Sequence, residues 1–69
     1  MARRTRLGRV LREQGRRQDW LAEQVGVDPS HISRIVHGLF PSQATAEKIA
    51  DALDVEVSEL WPELGEQAA

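Results

Sequence analysis

The stretch QDWLAEQVGVDPSHISRIVHG, residues 18–38, decides how this chain folds. Its apolar residues recur three and four positions apart, first before and then after Gly26, which is the spacing of one face of a helix. Gly26 is typical of a helix end, and Asp28 followed by Pro29 is typical of a helix beginning. The segment therefore predicts two short helices joined by a tight turn, the first of them from about Gln18 to Val25.

The same spacing extends to both sides of this segment. Leu7, Val10 and Leu11 predict a helix over about residues 4–14, which Gly15 ends. Ser42 is the expected N-cap of a fourth helix, and a final short turn is expected to end at Pro62. The residues predicted to face the core are Leu7, Val10, Leu11, Leu21, Ala22, Val25, Ile32, Ile35, Val36, Leu39, Ala46, Ile49, Ala50, Leu53, Val57, Leu60 and Trp61.

No alternation of apolar and polar residues predicts a strand. The expected fold is all-α, a compact five-helix bundle in one domain over residues 1–69. Within it we expect a basic arm over residues 1–5, a core over 6–62 and a frayed tail over 63–69.

The amino-acid composition excludes several classes of protein. The chain has 69 residues, 41% of them apolar and 29% charged, and no cysteine, so it forms one small domain without disulfides or thiolate metal sites. His31 and His37 are six positions apart, so they lie on different sides of a helix and cannot share a metal.

No apolar run approaches a membrane span and no signal-peptide core is present, so a cytoplasmic, nucleoid-associated protein is expected. No nucleophile with an adjacent base and no phosphate-binding glycine loop is found, so we expect no enzyme activity, no cofactor and no small-molecule ligand.

Charge is segregated along the chain, although its formal net value is −2. Residues 1–18 contain seven arginines and one acid, whereas residues 19–69 contain two basic residues and ten acids. A local basic surface attracts a polyanion even on an acidic protein, because salt screens charges beyond about 10 Å. A solubilising basic segment is the alternative interpretation.

The outward face predicted for the third helix consists of Ser30, Ser33, Arg34 and His37. It carries no carboxylate, although the surrounding sequence is rich in acids. Short hydroxyl side chains allow a helix to approach another surface closely, and an arginine among them can form a bidentate pair with guanine. An ordinary solvated helix face would have a similar composition. The helix-turn-helix arrangement around it favours nucleic-acid recognition.

The chain resembles the Cro/cI-type, lambda-repressor-like helix-turn-helix domains of phage and bacterial transcription regulators. The resemblance extends over about residues 7–62. It is carried by Gln18, Leu21, Ala22, Val25, Gly26, Val27, Ile32, Ser33, Arg34, Ile35, Gly38, Pro41, Ser42, Thr45, Ile49, Ala50, Leu53, Val55, Leu60 and Trp61.

The resemblance implies a recognition helix over about residues 29–37 that enters the major groove of double-stranded DNA. The positions that match its base readers are Pro29, Ser30, Ser33 and Arg34. Gln18 matches a phosphate-contacting glutamine, His37 falls near the phosphates, and the arm resembles arms that enter a groove. The predicted phosphate contacts are Arg3, Arg4, Arg6, Arg17, Gln18, His31 and His37.

The sequence departs from the family pattern at several positions. Leu11 and Val36 stand where the family often has a buried ion pair, and an apolar replacement of such a pair can be neutral or stabilising. Pro29 offers no side-chain donor. The usually basic loop after the third helix reads Leu39-Phe40-Pro41, which predicts fewer phosphate contacts there. Arg17 replaces the usual hydroxyl cap of the second helix, which is unfavourable at a helix N-terminus and suggests a phosphate contact.

We expect a sequence-specific transcriptional regulator, a repressor acting as a homodimer through Val57, Leu60, Trp61 and Leu64. The alternative is a protein-interaction module of the same fold, as in an antitoxin or a restriction-modification controller, with Phe40 and the acidic half as its partner surface. The sequence leaves open whether Trp20 covers the first helix or stacks near the DNA backbone. It also leaves open whether Phe40 fills a gap or anchors a partner.

Overall fold

A computed structural model describes residues 5–64 of the protein, and these residues are helical apart from short connections. The helices, in chain order, are α1 (Arg6–Gln14), α2 (Gln18–Val25), α3 (Pro29–Val36), α4 (Gln43–Leu53) and α5 (Val57–Leu60). A further helical turn spans residues 62–64, and no strand occurs within residues 5–64. The all-α, five-helix prediction is confirmed, with this additional turn after α5.

Side chains at the helix starts account for several of these boundaries. Asp28 and Ser42 accept hydrogen bonds from backbone N–H groups in the first turns of α3 and α4, as the sequence predicts. Thr5 does the same for α1, with 3.1 Å between its Oγ1 and the nitrogen of Gly8. Gly15 and Gly26 end α1 and α2 in the left-handed conformation, with φ of 68° and 82°.

The core lies between the inner faces of all five helices. α2 packs on α3 and α4, and α1 packs on α3 and α5. The most completely buried large side chains are branched aliphatic ones, so close packing of leucine and isoleucine holds the helices together. They are Leu7, Leu21, Ile32, Ile35, Ile49 and Leu53.

The prediction that Leu39 faces the core is wrong. It continues the apolar spacing of α3 in sequence, but its side chain is 45% exposed. The reason is that α3 ends at Val36 and Gly38 adopts a φ of 122°, so the helical periodicity no longer applies to Leu39. Val10, Val36 and Val57 are partly buried against the core rather than fully within it.

The end of the chain also differs from the prediction. Pro62 does not end the ordered structure but opens the turn over residues 62–64, where proline is tolerated because a first-turn N–H has no helical partner. Leu64 is only 6% exposed, so the predicted frayed tail does not begin at residue 63. Residues 65–69 of that predicted tail lie outside the described residues.

Three of the four side chains predicted for a dimer interface are core residues of the protomer. Leu60, Trp61 and Leu64 are 3%, 9% and 6% exposed, whereas Val57 is partly buried. Side chains used to close the core offer little surface to a second copy. The apolar spacing correctly predicts Leu60 and Trp61 as inward-facing, but it cannot tell a core from an interface, and it does not place Leu64 in the core.

Candidate nucleic-acid interface

The orientation of α3 is fixed by its buried side. Ile32 and Ile35 are 0% and 1% exposed and anchor the helix on α2 and α1. The opposite side therefore faces solvent. It carries exposed Pro29, Ser30, Arg34 and His37 together with partly buried His31 and Ser33. The structure thus brings all four predicted base contacts and two predicted phosphate contacts onto one helix of eight residues and its C-cap.

The first turn of α3 is organised by one carboxylate. Oδ1 of Asp28 accepts from the backbone N–H of Ser30 at 2.9 Å and from the Ser30 hydroxyl at 2.8 Å. These two bonds lower the pKa of Asp28 below its ordinary value, because they stabilise the charged form. The hydroxyl proton of Ser30 is thereby engaged, so this side chain faces a DNA base as an acceptor while the cap is intact.

The last turn of α3 fixes the tautomer of a histidine. Nδ1 of His37 lies 2.7 Å from the backbone carbonyl oxygen of Ser33. A carbonyl oxygen only accepts, so Nδ1 carries the proton in this arrangement. Neutral His37 then presents Nε2 as an acceptor, and only the imidazolium form can donate from Nε2 to a phosphate oxygen.

The N-terminus of α2 carries charges of both signs, because Arg17 occupies the N-cap position and Asp19 lies in the first turn. Arg17 makes no capping hydrogen bond with its side chain, and a guanidinium offers no acceptor to the first-turn N–H groups. Gln18 follows as the first helical residue and is partly buried. An arrangement without an internal acceptor leaves the first-turn N–H groups available to an external anion.

The structure shows how Trp20, whose role the sequence leaves open, packs within the protomer. Its side chain is partly buried against the core, and the guanidinium carbon of Arg16 lies 4.4 Å from the centre of its ring. This distance is within the range of a cation–π interaction. Trp20 therefore covers the core and holds Arg16 beside the positive end of α2. Sequence reasoning missed this pair, although the four-residue separation across the α1–α2 turn was visible.

Thr5 connects the root of the basic arm to the recognition helix. Its hydroxyl donates a hydrogen bond of 2.6 Å to the carbonyl oxygen of Val36, the last residue of α3. Arg6, a predicted phosphate contact, follows as the exposed first residue of α1. The predicted contacts Arg3 and Arg4 lie outside the described residues. Sequence reasoning did not single out Thr5, because its bond spans 31 positions.

The loop after α3 is apolar and open to solvent. Phe40 is 52% exposed and Leu39 is 45% exposed, whereas Pro41 is buried. Phe40 therefore does not fill a gap in the protomer core. An exposed aromatic next to the recognition helix is available to another molecule.

Comparison with known proteins identifies the family. A model of the Cro/C1-type helix-turn-helix family matches residues 7–60, which is most of the chain. The chain therefore belongs to this helix-turn-helix family, as the resemblance predicts. A search of curated proteins found no match, and a search of solved structures found none either.

Membership in this family makes the chain a DNA-binding module of the transcription-regulator type. Among residues 5–64, no helix is both long enough and apolar enough to span a membrane. In the same part of the chain, no three His, Asp or Glu side chains converge as a metal site would require.

Proposed function

We propose that the protein is a sequence-specific double-stranded DNA-binding regulator, a repressor that acts as a dimer. The observation that carries this proposal is the exposed face of α3, which has no carboxylate and is held outward by the buried Ile32 and Ile35. An eight-residue helix is about 12 Å long, which suits the major groove of B-DNA.

Arg34 is the principal base reader in this proposal. It is exposed in the last turn of α3, and its planar guanidinium matches O6 and N7 of guanine. Ser33 lies one residue before it, with a short side chain that permits close approach. Ser30 accepts from a base amino group, and Pro29 offers an apolar contact such as a thymine methyl group requires.

Contacts to phosphates orient the helix on the duplex. Gln18 and Arg17 at the start of α2 bind phosphates, and so do Arg6 at the start of α1 and the arm residues Arg3 and Arg4. His31 and His37 flank the base readers on α3. Such contacts supply affinity without sequence preference, so specificity depends on the base readers.

Repression then follows from occupancy of a promoter. Helix-turn-helix proteins that bind as two-fold dimers recognise two half-sites about one helical turn of DNA apart. The described residues provide one reading helix per copy, so two copies double the number of base pairs read.

Selection from a random pool of duplex DNA, at two salt concentrations, tests the proposal. The variants are Arg34→Ala and the matched control Arg12→Ala, which removes an equally charged and exposed residue from α1. The wild type is expected to enrich a two-fold symmetric site. Arg34→Ala should relax one position in each half-site by about 1–3 kcal/mol, whereas Arg12→Ala should leave the motif unchanged. A pool with no enriched motif would refute sequence-specific binding.

A protein-interaction module is the second candidate, and the exposure of Phe40 favours it. An antitoxin or a restriction-modification controller would combine this surface with DNA binding. The two functions differ in their salt dependence, because arginine–phosphate contacts weaken steeply with salt and an apolar contact does not. Binding of Phe40 to another protein at unchanged strength in high salt, with no DNA motif, would favour this candidate.

A further inference from the structure

A groove of about 360 Å³ lies beside the C-terminal end of α3. Leu39 and Phe40 line it from the loop after α3, and Trp61 and Pro62 line it from the segment after α5. Leu39 and Phe40 are the two large apolar side chains that remain exposed among residues 5–64. Arg6 and Glu63, which have opposite charges, line the same groove.

We propose that this groove is the surface through which two copies of the chain contact each other. The inference rests on the proposed function, since it names the partner of the DNA-binding module. Phe40 of each copy packs against the Trp61–Pro62 wall of the other, and Arg6 of each copy lies beside Glu63 of the other.

The groove meets the requirement of a two-fold interface, in which one patch must be complementary to itself. It contains a projecting side chain, Phe40, and a concave wall next to it. It also contains one positive and one negative residue, so rotation about a two-fold axis can place Arg6 against Glu63 twice. A groove that received an acidic or a basic partner would be expected to carry charges of one sign.

The position of the groove links self-association to DNA binding. Leu39 comes three residues after Val36, the end of α3, and its N–H donates to the carbonyl oxygen of Arg34 at 2.8 Å. A contact at this loop therefore fixes how far apart the two recognition helices lie. Leu60 and Trp61 of the interface expected from the sequence also line this groove, but they are mostly buried in the protomer core, so Phe40 supplies most of the apolar contact.

The extent of the groove predicts a weak dimer. A stable interface buries about 800 Å² on each partner, roughly one sixth of the 4915 Å² accessible surface of this chain. A groove built from two short segments is smaller than that. We expect a dissociation constant between about 10 μM and 1 mM in solution, with the dimer completed on DNA.

Nuclear magnetic resonance of the ¹⁵N-labelled chain without DNA tests the contact directly. Amide shifts are followed from about 10 μM to 2 mM protein, a range that brackets the expected constant. Concentration-dependent shifts are expected at Leu39, Phe40 and Glu63 and at the Trp61 indole. Phe40→Ser should abolish them, and Val57→Ser, a matched control outside the groove, should retain them. Absence of these shifts in the wild type would overturn the proposal. So would the reverse pattern, in which Val57→Ser abolishes the shifts and Phe40→Ser retains them.

Charge reversal separates a specific contact from nonspecific apolar association. Arg6 is also a proposed phosphate contact, so these variants are measured without DNA. Arg6→Glu and Glu63→Arg should each weaken the dimer about three- to tenfold, since each places like charges together twice. The double variant restores opposite charges and should return the constant to within about twofold of the wild type. A double variant as weak as the single variants would contradict the proposed pairing.

Binding to DNA distinguishes failure of this proposal from failure of the proposed function. On a duplex with one half-site, Phe40→Ser should bind as the wild type does, whereas on the full site it should lose cooperativity. Equal cooperativity of Phe40→Ser and wild type on the full site would overturn the groove contact alone. Loss of all half-site binding by the wild type would overturn the DNA-binding proposal, while the shifts measured without DNA would still report on the groove.

Discussion

Replacement of Thr5 by valine tests whether one hydroxyl secures both α1 and the recognition helix. Valine keeps the shape of threonine but removes the acceptor that caps α1 at 3.1 Å and the donor that bonds Val36 at 2.6 Å. Loss of an N-cap costs about 1 kcal/mol, and loss of a typical hydrogen bond costs about 1 kcal/mol more. We therefore expect Thr5→Val to lower the free energy of unfolding by about 2 kcal/mol. In a domain of this size, the melting temperature should fall by roughly 10 °C.

Two further variants divide that loss between the cap and the tertiary bond. Thr5→Ser keeps the hydroxyl and should lose less than about 0.5 kcal/mol, because Thr5 is only partly buried. Ser42→Ala removes an N-cap without a long-range bond and should lose about 1 kcal/mol. Urea and thermal unfolding followed by circular dichroism measure all three. Equal losses in Thr5→Val and Ser42→Ala would refute the contribution of the Val36 bond.

Three other predictions concern single contacts of the described structure. A double-mutant cycle of Arg16→Ala and Trp20→Leu, measured by urea unfolding, should give a coupling of about 0.5–1 kcal/mol, and an additive result would contradict the cation–π contact. Asp54 has a φ of 58°, a left-handed conformation that glycine adopts without strain, so Asp54→Gly should stabilise the protein by about 0.5–1 kcal/mol. Asp51→Gly, inside α4, should destabilise it. Unfolding midpoints of the two variants that move in the same direction would contradict this prediction. Because folding lowers the pKa of Asp28, the charged carboxylate stabilises the protein above about pH 4, and this stability is lost as the pH falls through the pKa of the folded state. Asp28→Asn caps the helix without titrating, so it should reduce this acid dependence of the melting temperature.

The helix boundaries could be predicted because local chemistry sets them. The sequence predicts α2 over Gln18–Val25 and the caps at Asp28 and Ser42, and the structure has them there. Glycines and capping side chains act within a few residues of their own position, so a single sequence contains that information. Prediction was wrong at Leu39, where the helical spacing continues in sequence after α3 has ended.

The candidate interface was predictable in part. The alternation of buried and exposed residues within α3 indicates which side chains face outward, so Ser30, Ser33 and Arg34 could be identified. The engagement of Ser30 by Asp28 and of His37 by Ser33 depends on rotamers and distances that spacing does not give. Because the Ser30 hydroxyl proton and Nδ1 of His37 are engaged in these bonds, neither is free to donate a hydrogen bond to DNA.

The sequence alone determined the helical class, the order of the helices and the outward face of α3, because periodicity and capping are local properties of the chain. Tertiary structure decided which apolar residues close the core and which remain exposed. Leu64 became core and Phe40 became surface, although both are large and apolar. The bond from Thr5 to Val36 was likewise decided there, because contacts between distant segments depend on how the helices pack.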